Sequence, residues 1–389
     1  MHDFTYYNPV KVIMGRAAGA GIVGEMAARG VTRVLLLYGG GSIKANGVYD
    51  ELASALSASG IEWCDCGGVK PNPILAKARE AVAIARDNDV QAVLAVGGGS
   101  VIDSAKAIAA GALYDGDLWD FFSGAAKVEA ALPIFVVATV SATASDMNFT
   151  AVLTNETLKV KSGLHSSKFF PVATGIDPSV QASVPERQTV DGGIDTIAHV
   201  LEAYFDGAKG VEVQKEYCEG LVRSVIRLIP LLVADPSDYD ARSQFAWAAA
   251  NALNGTTNAG HPTRGDFASH AMGHALSARY DSVHGETLAV IMPAWLKYVY
   301  REDLETAVRF AERVFGVREG SDDERARAGI DRLREFFLSL GAPSTLRDLG
   351  VPREDLPVLA DYVTRKGSPV GLLKKLERGD VLAIYESVY

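Results

Sequence analysis

The first half of the chain alternates short aliphatic and β-branched runs with longer alanine-rich stretches of helical periodicity. The pattern predicts strands at 31–41, 91–100 and 133–140 and helices at 47–60, 74–90 and 101–114. Such alternation is typical of a parallel sheet with crossover helices. Because the strands lack polar alternation, we expect both faces of this sheet to be buried.

Beyond residue 185 the strand patterns nearly disappear, and long segments rich in Ala, Leu, Glu and Arg have helical periodicity. These segments are 191–205, 211–233, 241–254, 302–315 and 321–340. The stretch 175–188 contains two prolines and has no clear period, so it is the predicted hinge. We therefore expect an α/β domain over residues 1–185 and an all-α domain over residues 186–389.

Composition limits the classes of protein to which the chain can belong and the cellular compartments in which it can act. The net charge of -10, without clustered Lys and Arg, argues against a nucleic-acid surface. The first residues lack the pattern of a signal peptide, and no apolar run reaches the ~18 residues of a membrane span. Three cysteines are too few for a disulfide framework, which favours a reducing cytoplasm. Cys64 and Cys66 lie on a predicted strand and are interpreted as a buried pair.

Two glycine triplets follow predicted strands, each ahead of a serine. They are Gly39, Gly40 and Gly41 before Ser42, and Gly97, Gly98 and Gly99 before Ser100. Ligands of open α/β sheets bind at the carboxyl ends of the strands, and N–H groups at a helix start favour phosphate. A triplet can also form a simple tight turn, but two at successive strand ends favour a diphosphate site. Neither triplet matches G-x-G-x-x-G, so a standard Rossmann dinucleotide domain is not predicted.

The residues after the first triplet bear on the choice of dinucleotide. An acidic residue at a strand end binds the ribose 2′-hydroxyl of NAD, whereas a 2′-phosphate prefers hydroxyl and basic groups. The segment "YGGGSIKANG" has no carboxylate before Asp50 but supplies Ser42 and Lys44. We therefore expect NADP(H) rather than NAD(H). The alternative for Lys44 is an ordinary solvated surface lysine.

Histidines concentrate in the second half, beside small and apolar residues. Asp195 and His199 are four apart in a helical pattern, His270 and His274 repeat that spacing, and His284 follows a turn-like segment. Residues four apart share one face of a helix. Any one of these histidines could be an ordinary core or surface residue, but burying all of them with no shared partner would be costly. One Asp with three His suits Fe²⁺ or Zn²⁺.

Motifs along essentially the whole chain resemble one family. The segments "AVGGGSVIDSAKAIA", "DGGIDTIAHVLEAY" and "SHAMGHALSARYDSVHGETLAVIMP" resemble the iron-dependent (group III) alcohol dehydrogenases, within them NADPH-dependent butanol dehydrogenases and broad-range aldehyde reductases. The resemblance implies a dehydroquinate synthase-like fold with a Rossmann-like parallel sheet and an all-helical second domain. It also implies the metal ligands Asp195, His199, His270 and His284, and a catalytic His274 near the nicotinamide.

The predicted cofactor contacts combine the two glycine triplets and the polar residues after them with further positions that the resemblance implies. They are Gly39, Gly40, Gly41, Ser42, Lys44, Gly97, Gly98, Gly99, Ser100, Asp103, Thr139, Thr143, Asn148 and Lys161. Lys161 could instead be an exposed loop lysine. The chain departs from the family at Ala144, where a glycine is usual, and at Asp146, where a glutamate is usual. We expect these two changes to alter the pocket without abolishing cofactor binding. His165 and His261 are interpreted as non-catalytic.

These observations predict a metal-dependent oxidoreductase that transfers hydride between NADP(H) and a small aldehyde or primary alcohol, acting as an aldehyde reductase. Three alternatives remain open at this point: a glycerol-dehydrogenase-like polyol oxidoreductase, a metal-dependent lyase of the dehydroquinate synthase type, and a non-catalytic nucleotide-binding scaffold. The resemblance also implies a homodimer, while the charge and the hydropathy of the chain predict no nucleic-acid or membrane partner.

Overall fold

The computed structural model describes residues 1–365 and 367–389. Its strands are β1 (Lys11–Met14), β2 (Arg33–Tyr38), β3 (Glu62–Cys66), β4 (Ala92–Gly97), β5 (Ile134–Ala138), β6 (Thr150–Asn155), β7 (Val160–His165) and β8 (Ala173–Ile176). Six of them form one parallel sheet in the order β1-β8-β5-β4-β2-β3, while β6 and β7 form an antiparallel pair. The predicted parallel sheet is confirmed.

The helices dominate the second half of the chain. They are α1 (Ala18–Ala28), α2 (Ser42–Ala45), α3 (Val48–Ala58), α4 (Leu75–Asp87), α5 (Gly99–Gly111), α6 (Trp119–Ser123), α7 (Pro178–Gln181), α8 (Glu186–Tyr204), α9 (Glu212–Ala234), α10 (Tyr239–Ala252), α11 (Ala268–Tyr280), α12 (His284–Val299), α13 (Leu304–Phe315), α14 (Asp322–Ser339), α15 (Leu356–Val363) and α16 (Arg378–Ser387). Within residues 1–365 and 367–389, none has both the length and the hydropathy needed to cross a bilayer.

The sheet is covered on both faces, as the unbroken aliphatic strands predict. Along β4, Val93 and Ala95 belong to a core that includes Ile102 of α5. Leu94, on the opposite face, belongs to a second core that includes Leu52 of α3. Side chains of a strand alternate between its two faces, so one strand with apolar residues at every position contributes to both cores.

The strand order places a switch point between β2 and β4. From β2 the chain crosses to β3 at one edge, and from β4 it crosses to β5 on the other side. The helices after β2 and β4 pack on opposite faces of the sheet, which opens a crevice at the carboxyl ends of these two strands. The two glycine triplets lie at this edge of the sheet, where open α/β folds commonly bind their ligands.

The described residues form two compact units that differ from the predicted domains. The sheet unit comprises Tyr7–Thr189 and Leu231–Asn254, and the helical unit comprises Met1–Tyr6, Val190–Pro230 and Gly255–Tyr389. The sheet unit includes α10, whose Ala246 and Ala250 belong to the core under β4 and α5. Helical periodicity identifies an apolar face but not the core that this face joins.

The predicted hinge at 175–188 contains regular structure. It includes the last residues of β8, the short helix α7 and the start of α8. Pro178 occupies the first turn of α7, where the N–H that it lacks would have no helical partner, and the side chain of Asp177 caps the helix by accepting from Ser179 N at 2.9 Å. The prolines begin helices here and do not mark an irregular linker.

Candidate functional site

Five polar side chains of the helical unit converge from three helices. Asp195 and His199 project from α8, His270 and His274 project from α11, and His284 is the first residue of α12. The Asp195 Oδ1 atom lies 3.2 Å from His199 Nδ1, 3.7 Å from His270 Nε2 and 3.7 Å from His284 Nε2. The four predicted metal ligands are thus gathered around one carboxylate oxygen, although 89 residues separate the first from the last in sequence.

The donor set fits a single divalent cation. Ligands at about 2.1 Å from a tetrahedral metal lie about 3.4 Å from one another, which matches the spacing around Asp195. Donor atoms of Asp195, His199 and His270 all lie within 4.8 Å of one another, and all three residues are buried. His199 Nδ1 and His270 Nε2 are buried without a hydrogen-bond partner among the described residues. A bound cation would supply the missing partner.

Burial and charge act in opposite directions on two of these imidazoles. Burial lowers the pKa of His199, although Asp195 opposes the shift. Burial also acts to lower the pKa of His270, but the carboxylates of Asp195 and Glu202 outweigh it and raise that pKa to about 9. The two carboxylates therefore favour positive charge beside the His270 ring, where the donor cluster would hold a cation.

Two glycines bring α11 and α12 close to their neighbours. A Cβ on Gly285 would lie 2.5 Å from the backbone oxygen of Asp191 on α8, and a Cβ on Gly273 would lie 2.7 Å from Thr287 Oγ1 on α12. Both distances are too short for any real side chain. The absence of side chains here lets the start of α12 pack directly against α8, which places His284 beside Asp195.

His274 lies one turn beyond His270 on α11. Its ring centroid is 6.3 Å from that of His270 and 5.0 Å from that of His284. It is half-buried, whereas His270 is buried. His274 therefore borders the cluster on its more accessible side, consistent with the predicted position outside the ligand set.

The predicted cofactor residues collect at the carboxyl edge of the sheet. The first glycine triplet follows β2, the second ends β4 and begins α5, and Thr139 follows β5. These three strands are neighbours in the sheet, so their carboxyl ends meet at one place. Thr139 N donates to Gly97 O at 3.0 Å, which ties the segment after β5 to the second triplet.

The second triplet forms an anion-compatible helix start. Gly98 precedes the 13-residue helix α5, and no side chain of the described residues caps it. Gly98, Gly99 and Ser100 are only half-buried, so their N–H groups can meet a ligand. A Cβ on Gly99 would lie 2.4 Å from Thr143 Oγ1. Glycine is thus required for the close approach of the helix start and the Thr143 segment.

A buried lysine, missed at the sequence level, organises the loop after β5. Lys106 Nζ donates to Ser145 Oγ at 2.8 Å, to Asn148 Oδ1 at 2.9 Å and to Thr150 O at 2.8 Å. Burial lowers its pKa to about 8, while Asp103 and Asp146 oppose that shift. Lys106 is one turn from Asp103 on α5, and this spacing was the available sequence evidence for their shared role.

Asp103 is engaged by the same loop. It accepts from Ser145 Oγ at 2.5 Å and from Val152 N at 3.0 Å. Both carboxylate oxygens therefore bind protein groups, so Asp103 positions the loop that presents Thr143 and Asn148. Its direct contact with the cofactor remains a prediction.

Lys161 is not an exposed loop lysine. It is buried on β7, and its Nζ donates to Asn72 Oδ1 at 2.8 Å.

The departure from the family at Ala144 affects the backbone, because the φ of 51° at Ala144 lies in the left-handed region that glycine adopts freely. Burial raises the pKa of the neighbouring Asp146 to about 6. The shorter acid is thus buried within reach of the positive charge of Lys106.

Lys44 lies between two aromatic rings. Its Nζ is 5.0 Å from the ring centroid of Tyr38 and 4.6 Å from that of Tyr49. The Tyr49 hydroxyl donates to Asp65 Oδ2 at 2.7 Å. Asp65 pairs with Leu36 of β2 in the sheet register, which brings a carboxylate near the first triplet from the neighbouring strand. The segment "YGGGSIKANG" gives no sign of this carboxylate, because Asp65 is distant from it in sequence.

Two family models match the chain. "Iron-containing alcohol dehydrogenase" matches residues 9–178, and "Fe-containing alcohol dehydrogenase family, C-terminal" matches residues 189–389. The two matches together cover most of the chain, and its fold and Asp-His₃ cluster are compatible with an alcohol dehydrogenase that holds a metal. The chain belongs to the iron-containing alcohol dehydrogenase family, so the predicted resemblance and fold class are confirmed.

Individual relatives are similar to this chain over nearly their whole length. The chain is 40% identical over 389 residues to a probable NADH-dependent butanol dehydrogenase 1 of Bacillus subtilis, covering 100% of both chains. It is 36% identical over 373 residues to the NADPH-dependent aldehyde reductase YqhD of Escherichia coli, covering 94% of both. The crystal structure of NADH-dependent butanol dehydrogenase A from Thermotoga maritima matches with a TM-score of 0.97 at 46% identity, covering 100% of this chain and 99% of that one. The chain is therefore an enzyme of the alcohol dehydrogenase and aldehyde reductase class.

Proposed function

We propose that the protein reduces small aldehydes to primary alcohols with NADP(H), in the cytoplasm, with one Fe²⁺ or Zn²⁺ held by Asp195, His199, His270 and His284. The convergence of these four donors at 3.2–3.7 Å around Asp195 Oδ1 is the observation that supports this proposal most strongly. The three unpaired cysteines suit a reducing compartment.

The cluster's own residues set the charge and the shape of the reaction site. When bound there, a divalent cation supplies Lewis-acid polarisation of a substrate carbonyl, and the nicotinamide of the cofactor supplies the hydride. Asp195 would contribute one negative charge to a bound divalent cation, and the three imidazoles would be neutral donors. The cation and its ligands would therefore keep a net positive charge, which stabilises the negative charge that develops on the carbonyl oxygen of the substrate. His274, at the accessible side of the cluster, is assigned to the proton relay that completes the alcohol or, alternatively, to placing the nicotinamide.

The preference for NADP(H) is supported by Ser42 and Lys44 after β2. A 2′-phosphate at this edge of the sheet would meet a hydroxyl and an ammonium group, and Lys44 is exposed beside Tyr38 and Tyr49. Asp65 opposes this preference, because its carboxylate repels a phosphate and suits a ribose hydroxyl. The relatives include NADH-dependent and NADPH-dependent enzymes.

Replacement of Lys44 by Ala is expected to reduce the ratio of kcat/KM for NADPH to that for NADH about tenfold. Loss of one charge-assisted contact costs about 1.5 kcal/mol, which is roughly a factor of ten. The ratio is measured from initial rates with both cofactors at saturating aldehyde. Lys297→Ala, far along the chain on α12 and paired with Asp331 at the surface, is the control and should leave the ratio unchanged. An unchanged ratio in K44A would remove Lys44 from the cofactor site.

The proposed reaction is tested by following NADPH absorbance with a series of straight-chain aldehydes. Turnover should disappear after chelation and return when Fe²⁺ or Zn²⁺ is added back. A panel of polyols with NAD⁺ and NADP⁺ separates aldehyde reduction from glycerol-dehydrogenase-like oxidation. Turnover of polyols alone would replace aldehydes as the proposed substrates. Family membership argues against the lyase and the non-catalytic scaffold.

We also propose that two copies of the chain associate. Strand β1 is at the edge of the sheet and pairs with β8 on one side. The exposed side chain of Met14 lies at its end. An open edge strand is a ready template for pairing with another chain. Light scattering of the purified protein should give twice the 41.3 kDa mass of one chain, and a stable mass of one chain would contradict the homodimer.

A further inference from the structure

Glu202 is a fully buried acid on α8, three residues after His199 and so one turn further along the same helix. Its side chain is directed to the beginning of α11, where His270 lies. A buried carboxylate is stable only when its oxygens are well supplied with hydrogen-bond donors. Its donors therefore reveal what the carboxylate does in this fold.

Among the described residues, the donors to the Glu202 carboxylate belong to Phe267, Ser269 and His270 at the start of α11. Glu202 Oε1 accepts from Ser269 Oγ at 2.5 Å, from His270 Nδ1 at 2.8 Å and from His270 N at 3.2 Å. Glu202 Oε2 accepts from Phe267 N at 2.5 Å. The carboxylate thus holds both the ring of His270 and the backbone that supports it.

The bond to the ring determines which nitrogen of His270 is available. A carboxylate only accepts, so Nδ1 must carry the hydrogen in this contact. The other ring nitrogen, Nε2, lies 3.7 Å from Asp195 Oδ1, within the donor cluster. We propose that Glu202 is the positioning residue that fixes the tautomer and the orientation of His270 for metal binding. This inference rests on the proposed metal site.

The backbone contact adds a second constraint at the same place. Phe267 has a φ of 57°, in the left-handed region that a non-glycine residue adopts only at an energetic cost. Its N–H is held by Glu202, and the carboxylate also lies at the helix N-terminus, where negative charge is favourable. Glu202 therefore fixes the first turn of α11 and the ring of His270 together, which removes the rotational freedom that would weaken metal binding.

The test is a titration of the metal-free full-length protein with Co²⁺, in competition with a chelator and with the visible Co²⁺ spectrum recorded. Glu202→Gln keeps the shape but removes the charge and one acceptor oxygen. We expect its Co²⁺ dissociation constant to rise 10- to 100-fold, the usual cost of losing such a partner, with an altered visible band. An unchanged constant and band would overturn the inference.

Two control variants separate the possible failures. Glu219→Gln removes another buried carboxylate of the helical unit, which accepts from Tyr204 and Arg309 away from the cluster. It should bind Co²⁺ within twofold of the wild type, and a rise equal to that of E202Q would reduce the effect to general destabilisation. His270→Ala should abolish the Co²⁺ band. If it binds Co²⁺ normally, the proposed metal site fails; if only E202Q binds normally, the Glu202 inference fails alone.

A measurement on the wild-type protein tests the same inference even if E202Q does not fold. Long-range ¹H–¹⁵N spectra of histidine-labelled wild-type protein loaded with Zn²⁺ report the protonated nitrogen of each ring. His270, assigned by its absence from H270A, should be protonated at Nδ1 and coordinated at Nε2. Coordination through Nδ1 would overturn the inference.

Discussion

Replacement of His284 by Ala is expected to lower aldehyde reduction about a thousandfold, together with the bound metal content. His284 Nε2 is one of three imidazole nitrogens beside Asp195 Oδ1. Alanine at this position removes one of the four proposed ligand atoms and exposes that side of the cluster to water. Loss of metal removes several kcal/mol of charge stabilisation, and each 1.36 kcal/mol is a factor of ten in rate. Rates are measured by NADPH absorbance and metal content by mass spectrometry.

The same variant should keep its affinity for NADPH, because the predicted cofactor residues belong to the sheet unit. Fluorescence titration with NADPH checks this separation. His2→Ala is the matched control, since His2 is an exposed histidine near the amino terminus, and it should retain full activity and metal. A fully active H284A protein, or one that keeps its metal, would defeat the ligand assignment.

Replacement of Lys106 by Met should lower the free energy of unfolding by about 3–5 kcal/mol, the range for removing one partner of a buried charge network. The methionine fills similar space but leaves three acceptors without their donor and removes the positive charge beside Asp103 and Asp146. Urea unfolding of the full chain, followed by circular dichroism, measures the effect. NADPH affinity should also fall, because Thr143 and Asn148 lie in the loop that Lys106 holds.

Lys297→Met is the matched control for this experiment. Lys297 pairs with Asp331 at 3.1 Å at the surface, where both side chains are at least half exposed. Removing such a pair changes stability by less than about 1 kcal/mol. If K106M and K297M have equal stabilities, the buried network contributes little to the fold of the sheet unit.

The part of the site that the sequence predicted depends on local spacing. Asp195 and His199 share a helix face because they are four apart, and His270 and His274 repeat that geometry. What brings the two pairs and His284 together is tertiary packing, such as the bond of His270 to Glu202 and the contact of Gly285 with Asp191. The sequence does not identify Glu202, because a glutamate in a helical pattern is typical of an exposed position and its burial depends on tertiary packing. Asp65 was overlooked because strand register is a long-range property.

The secondary structure likewise divides into elements that the local sequence predicts and elements that depend on tertiary packing. The sequence predicts strands β2, β4 and β5 because apolar residues occupy nearly every position, which requires burial on both faces. The edge strand β1 is only partly buried and has four residues, too few for a pattern to emerge. The hairpin of β6 and β7 went unpredicted, although Ala151 and Leu153 are buried and alternate with more accessible residues. The placement of α10 required knowledge of which core its alanines join.

The most direct measurement is anomalous diffraction from crystals of the metal-loaded protein, collected on both sides of the iron and zinc absorption edges. A single peak should lie about 2.0–2.2 Å from one donor atom of each of Asp195, His199, His270 and His284. A protein with metal-dependent aldehyde reductase activity whose anomalous peak lies away from these four side chains would contradict the assignment.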